Sequence, residues 1–167
     1  MAIEFEVMYK GQGFIALIDD EDKDLLRYGW VCQWKNRIGN AMPTVLICTC
    51  KEGKQTSVAL YRVIMARVLG YEPSSKQYVD HRDLDRLNNT RSNLRIATCS
   101  QNRTNSSVRS DNLTGIKGVN KMGNKYRARI GFNGKVYHLG LFTTIEDANR
   151  AYLEAAQGQF GEFARGE

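Results

Sequence analysis

Apolar and polar positions alternate through the first fifty residues, which is the period of a strand with one buried face. Residues 3–8 and 14–18 read as strands, and 31–34 and 44–50 as two more. Between them Asp19 and Asp20 stand as N-cap candidates for a short helix running to Leu26 and ended by Gly29. The period changes over residues 57–69, where Leu60, Val63, Ile64 and Val68 fall at helical spacing and Gly70 closes the run.

Pro73, Ser74 and Ser75 break the pattern. Residues 78–81 (Tyr-Val-Asp-His) then form a short strand, 82–93 a polar stretch too charged and Asn-rich for a core, and 94–97 a second short strand. Thr98 and Gln101 have the spacing of a capping box, in which a hydroxyl and an amide satisfy the free N–H groups of a helix start; a helix to about 107 is expected. Residues 106–114 are polar and aperiodic, the pattern of a flexible linker.

Beyond it the alternation returns. Tyr126, Ala128, Ile130 and Phe132 face one way, and Lys125, Arg127, Arg129 and Gly131 the other. Asn133-Gly134 is a strong two-residue hairpin signal, because both residues tolerate the positive φ of a type I′ turn. Residues 136–141 form the partner strand. Thr143 or Thr144 caps a last helix with Glu146 and Asp147 in its first turn and Ala148, Ala151, Tyr152, Ala155 and Ala156 as its apolar stripe. Tyr126, Phe132 and Tyr137 are expected in the core.

Composition narrows the class. The 167 residues are 42% hydrophobic and 25% charged, as in a folded globular chain. No apolar run approaches a membrane span and the N-terminus lacks an apolar signal core, so a cytoplasmic protein with no membrane partner is expected. Cys32, Cys48, Cys50 and Cys99 contain no C-x-x-C pair and are expected as reduced thiols. The net charge of +6 is uneven: from Arg103 to Gly140 eight Lys or Arg residues stand against the single acid Asp111. A basic segment on a near-neutral body is the footprint of a polyanion binder.

Only two histidines exist, His81 and His138. Asp80 and His81 are neighbours at a strand end, where adjacent side chains point to opposite faces, so they cannot grip one metal side by side. Asn93 lies twelve residues after His81, and Asn102 nine further on, inside the capped helix. A helix folded back onto the strand pair would bring Asn102 towards Asp80. One carboxylate and one amide oxygen make a sparse hard-oxygen site of the kind that suits Mg2+ or Mn2+ and leaves room for water and phosphate.

The run YVDHRDLDRLNNTRSNLRIATCSQN (residues 78–102) resembles the HNH homing endonucleases of the ββα-metal fold, most nearly the phage intron-type branch with Asn as the third signature residue. The resemblance implies His81 as general base, Asn93 as the residue orienting it, and Asp80 with Asn102 as metal ligands. Arg82, Arg86, Arg91 and Arg95 are candidates for holding the DNA backbone. Residues 14–69 are more weakly similar to the N-terminal portion of such proteins, with Tyr61 where many relatives have histidine.

TGIKGV, KYRARI, HLGLF and FGEFA, within residues 114–164, resemble the Apetala-2/ethylene-response-factor DNA-binding domain. That implies a three-stranded sheet in the major groove backed by one helix, with Lys117, Asn120, Arg127, Arg129 and His138 as readers. The tryptophans that plant members place on this face are absent, and His138 occupies the position of one.

The expected protein is α+β: mixed strands and helices leading into a ββα-metal nuclease core, then a small three-stranded antiparallel sheet packed on one helix. The expected division is an HNH domain at 1–108 with its core at 76–107, a linker at 109–113 and a DNA-binding domain at 114–167. The expected activity is metal-dependent cleavage of double-stranded DNA by a monomer. The alternative is a sequence-specific DNA-binding regulator that does not cut. An RNA-binding module is disfavoured because the sheet face lacks exposed stacking aromatics.

Overall fold

The N-terminal alternation folds as an antiparallel hairpin, β1 (Ala2–Tyr9) with β2 (Gln12–Asp19), turned at Lys10 and Gly11, both with positive φ. In this computed structural model residues 1–35, 42–51, 54–108 and 111–164 are described. The expected short helix follows as a 3-10 helix (Asp20–Arg27) with Asp19 at its N-cap, which makes no side-chain cap bond. Strands β3 (Val31–Lys35), β4 (Met42–Lys51) and β5 (Lys54–Ala59) form an antiparallel sheet in that order.

Strand β5 differs from the expectation of a helix from residue 57. Its polar Thr56 and Ser57 carry no apolar alternation, but both pair with β4 (Thr49↔Thr56, Cys48↔Ser57), and this tertiary pairing keeps the backbone extended to Ala59. Helix α1 (Leu60–Leu69) then begins and ends on Gly70 in the left-handed conformation, φ 76°, where a residue without Cβ is favoured. Two short strands, β6 (Tyr78–His81) and β7 (Leu94–Ala97), pair with each other. Val7, Ala16, Ile18, Leu25, Leu60, Ile64 and Leu94 are among the buried residues of this region's core, with Val79 and Ile96 packed against it.

The chain divides into two compact units, Met1–Ile96 and Ala97–Glu167. Helix α2 (Cys99–Asn105) thus falls within the second unit. Both bonds of its capping box form: the Gln101 N–H donates to Thr98 Oγ1 at 3.3 Å, and the Thr98 N–H to Gln101 Oε1 at 2.8 Å. Part of the expected linker, residues 109 and 110, lies outside the described residues.

Strands β8 (Val119–Met122), β9 (Lys125–Phe132) and β10 (Lys135–Phe142) make an antiparallel sheet with β9 in the centre. Asn133 and Gly134 turn the hairpin with φ of 50° and 74°. Helix α3 (Ile145–Phe160) starts at Thr144, whose side chain accepts from the Asp147 N–H, and buries Ala148, Tyr152 and Ala156 against Val119, Ala128 and Ile130 of the sheet. A bulge between His138 and Gly140 shifts the register, so that Leu141 pairs with Arg127 as His138 pairs with Arg129. Tyr126 and Phe132 pack on the core as expected; Tyr137 is 39% exposed and stacks on Phe132 with ring centroids 4.2 Å apart. Cys32 is buried, Cys48 and Cys99 are exposed, and all three are free thiols. No helix among the described residues is long and apolar enough to cross a membrane.

Candidate active site

Strand β6 ends at His81, and the chain reverses through residues 82–93 before β7. This polar loop is built by its own side chains. The Asp83 carboxylate accepts from the Asp85 N–H (2.8 Å), Asn88 Nδ2 (2.7 Å) and Asn93 Nδ2 (2.8 Å). Asn93 also donates to the Asn88 carbonyl (2.7 Å) and accepts from the Asp83 N–H (3.1 Å), while the Arg82 N–H donates to the Asn93 carbonyl (2.9 Å). Asn93 thereby ties the two ends of the loop together.

The first hairpin braces the loop from outside. The Leu17 N–H donates to the Leu87 carbonyl and the Asn89 N–H to the Leu17 carbonyl, both at 2.8 Å. Arg91 is held by acids of the 3-10 helix: its Nε donates to Asp22 Oδ2 at 2.8 Å, its Nη1 pairs with Glu21, and its backbone N–H donates to Asp19 Oδ2 at 2.7 Å. Asp22 is fully buried and takes a further contact from Arg67 at 3.3 Å.

His81 is 6% exposed. Its Nε2 lies 3.4 Å from Asn89 Oδ1, and the Tyr61 ring meets the imidazole edge-to-face with centroids 5.2 Å apart at 80°. Asn89 is fully buried, and its Nδ2 donates to the carbonyls of Leu87 (2.9 Å) and Arg86 (3.4 Å). Carbonyl oxygens only accept, so this amide must present its nitrogen to them and its oxygen to His81. An acceptor there favours the tautomer with its proton on Nε2. Burial holds His81 below its ordinary pKa of 6.5, opposed by the bond to Asn89 and the negative field of Asp83. The ring is therefore neutral at neutral pH, the form that accepts a proton.

Several sequence-based assignments change here. The amide against His81 belongs to Asn89, whereas Asn93, expected to orient the base, commits its side chain to Asp83 and Asn88 and acts on the loop. Arg95, expected on the DNA backbone, is 7% exposed and donates from Nε to Asp80 Oδ2 at 2.9 Å. Arg91, expected there too, is bound to Asp22 and Glu21. Arg82 and Arg86 remain exposed. Lys117, expected as a reader, is partly buried and donates to the carbonyls of Thr104 and Ser106. Nothing in the sequence singled out Asn89: in a polar, charged stretch it reads as solvated, and the bond from its N–H to the Leu17 carbonyl, seventy-two residues earlier, holds it against the first hairpin.

Asp80 is 4% exposed, with one carboxylate oxygen held by Arg95. Asn102 is half-buried on α2 in the second unit, its N–H donating to the Thr98 carbonyl at 2.9 Å. Among the described residues no group of three or more His, Cys, Asp or Glu is placed to hold a metal ion. A carboxylate and an amide oxygen are donor types that a hard divalent cation takes; Asp80 belongs to the first unit and Asn102 to the second.

On the outer face of the second unit's sheet stand Asn120, Arg127, Arg129 and His138, joined by Leu141 through the bulge. Arg129 and His138 are exposed, Leu141 is 55% exposed, and Arg127 is half-buried with its Nε lacking a hydrogen-bond partner.

Residues 58–104 match the family model HNH_3, described as HNH endonuclease. The matched stretch spans α1, both short strands, the polar loop after His81 and most of α2. A curated protein of Acanthamoeba polyphaga mimivirus, named an uncharacterized HNH endonuclease, is 41% identical over 105 residues, covering 63% of this chain and 54% of that protein. The chain spans about half the length of that relative. No solved structure matches it.

Proposed function

We propose that this chain is a DNA endonuclease of the homing type that hydrolyses phosphodiester bonds in duplex DNA. The observation that carries the reading is the HNH match over residues 58–104, which encloses a buried histidine at the end of β6, beside a loop fixed by its own side chains. His81 accepts a proton from water. The water oxygen forms a bond to phosphorus as the bond from phosphorus to the 3′-oxygen breaks, and the departing oxyanion takes a proton from solvent, giving a 5′-phosphate and a 3′-hydroxyl. Asn89 fixes the tautomer and Tyr61 packs the ring, so the basic nitrogen keeps one direction. A divalent cation such as Mg2+ or Mn2+, with Asp80 as its carboxylate ligand, would supply positive charge to the phosphate and the leaving oxygen.

Arg127, Arg129, Asn120 and His138 are proposed to read the target from the outer sheet face, as in the Apetala-2-like arrangement. Arginine forks match guanine's major-groove edge, and exposed Leu141 suits a thymine methyl. The chain acts as a monomer on DNA and one site serves one strand, so nicking is the expected product.

Burial of both Asp80 and His81 favours a second reading, a DNA-binding regulator without cleavage. Supercoiled plasmid carrying a target-containing library, incubated with Mg2+ or Mn2+, separates the two. Nicked circles from the wild type, lost in His81→Ala, support the nuclease. DNA retention without nicking by the wild type supports the regulator.

A further inference from the structure

The second unit contains a cavity of about 440 Å3 whose walls come from three places: Arg103 and Ser106 at the end of α2, Lys117 and Asn120 before and in β8, and Arg129 on β9. We propose that this cavity holds a phosphodiester of the sugar–phosphate backbone of bound DNA. The proposal rests on the DNA reading above and adds a site to it: Arg103 is neither in the candidate nuclease machinery nor on the reading face of the sheet.

Charge is the first argument. Arg103, Lys117 and Arg129 stand against one acid among the described lining residues, Asp111. Two of the three cations are exposed arginines, from elements twenty-six positions apart in the chain. A planar guanidinium from each side suits a tetrahedral oxyanion, which presents oxygens in several directions.

Rigidity is the second. Lys117 Nζ donates to the Thr104 carbonyl at 2.5 Å and to the Ser106 carbonyl. That bond places a positive charge on the carboxyl end of α2, whose unpaired carbonyls would otherwise repel an anion there. Lys117 thus ties α2 to the β8 approach and cancels the unfavourable end of the helix, leaving the arginines for the ligand. The opposite wall is locked by Asn112, which donates to the Ile116 carbonyl at 2.7 Å and accepts from the Thr114 N–H and hydroxyl at 2.9 and 2.7 Å.

The floor is shaped by Gly118, φ +71°, whose carbonyl accepts from the Arg129 N–H at 2.9 Å. A Cβ at this position would lie 2.6 Å from the Arg129 carbonyl oxygen and 2.3 Å from the Tyr152 ring, so glycine lets the β8 approach lie against β9. Arg129 is shared between the cavity and the sheet's outer face, which gives a DNA strand a continuous path from base edges to a held phosphate.

The test is equilibrium binding, not cleavage. Full-length protein is titrated against fluorescent duplex DNA in EDTA over a range of KCl concentrations, and log K is plotted against log salt. Arg103→Ala is expected to weaken binding several-fold and to reduce the slope by about 0.9, the value for one phosphate contact. Arg103→Lys, which keeps the charge, is expected to retain the slope. Lys135→Ala removes an exposed charge outside the cavity lining and sets the background effect. An Arg103→Ala change no larger than that of Lys135→Ala overturns the cavity assignment and leaves the DNA reading intact. Failure of the wild type to bind duplex DNA at any salt overturns the DNA reading itself. Equal competition by RNA of matched length overturns the commitment to DNA.

Discussion

Three arginines of the first unit and two of the second stand in opposite surroundings. In the first, Arg91, Arg95 and Arg67 are each turned onto carboxylates, with Asp22 and Asp80 buried beneath them. In the second, Arg103 and Arg129 stand exposed on a basic surface. Internal pairing makes the first set structural, because a buried carboxylate stripped of its partner is costly. Exposure leaves the second set available to a polyanion. Basic residues in one chain therefore cannot be assigned to DNA by type alone; the location of the nearest acid decides.

The contrast is sharpest at Arg95. Both members of the Asp80–Arg95 pair are more than nine-tenths buried, so Arg95→Ala is expected to destabilise the fold by about 3–5 kcal/mol, measured by urea denaturation. Arg129→Ala, on the exposed surface, should leave stability within about 0.5 kcal/mol. Equal losses for the two would erase the distinction. The next effect belongs to binding: Arg129→Ala is expected to weaken specific DNA binding by about 1–3 kcal/mol, the range for a base contact. Unchanged affinity would remove the sheet face and the cavity's second arginine together.

The smallest effect is on pH dependence. His81 in the folded chain lies below its unfolded value of about 6.5. The unfolded state therefore binds the proton more readily. The contribution of His81 to stability is complete above about 6.5 and is lost as pH falls through the lowered folded value. The acid limb of kcat/KM for cleavage is expected below 6.5 for the same reason, since only the neutral ring accepts a proton. A limb above 6.5 would mean that a neighbouring negative charge, not burial, governs the base.

Much of this was legible from pattern. The strands around Asn133-Gly134 follow from strict alternation and a turn that demands positive φ, and helix α2 from the Thr98–Gln101 spacing. Strand β5 was not legible, because Thr56 and Ser57 are extended through their pairing with β4 rather than by any hydrophobic period. The dipeptide Asp80-His81 was found from sequence, but not the partners of either residue. Asn89 lies in a loop that looks solvated, and Arg95 alternates along a strand as an outward-facing cation would. Both reach their roles through contacts between segments, as Arg91 does through acids about seventy positions away. Periodicity within one segment carries no record of such contacts.

The central claim is that His81 performs the chemistry while the arginines of the second unit hold the substrate. Single-turnover cleavage at saturating protein, with Mg2+ present, separates these directly. Arg129→Ala should recover the wild-type rate once saturated, and His81→Ala should stay slower by at least about a hundredfold, the low end for general-base catalysis. Cleavage by His81→Ala at the wild-type rate would contradict the account.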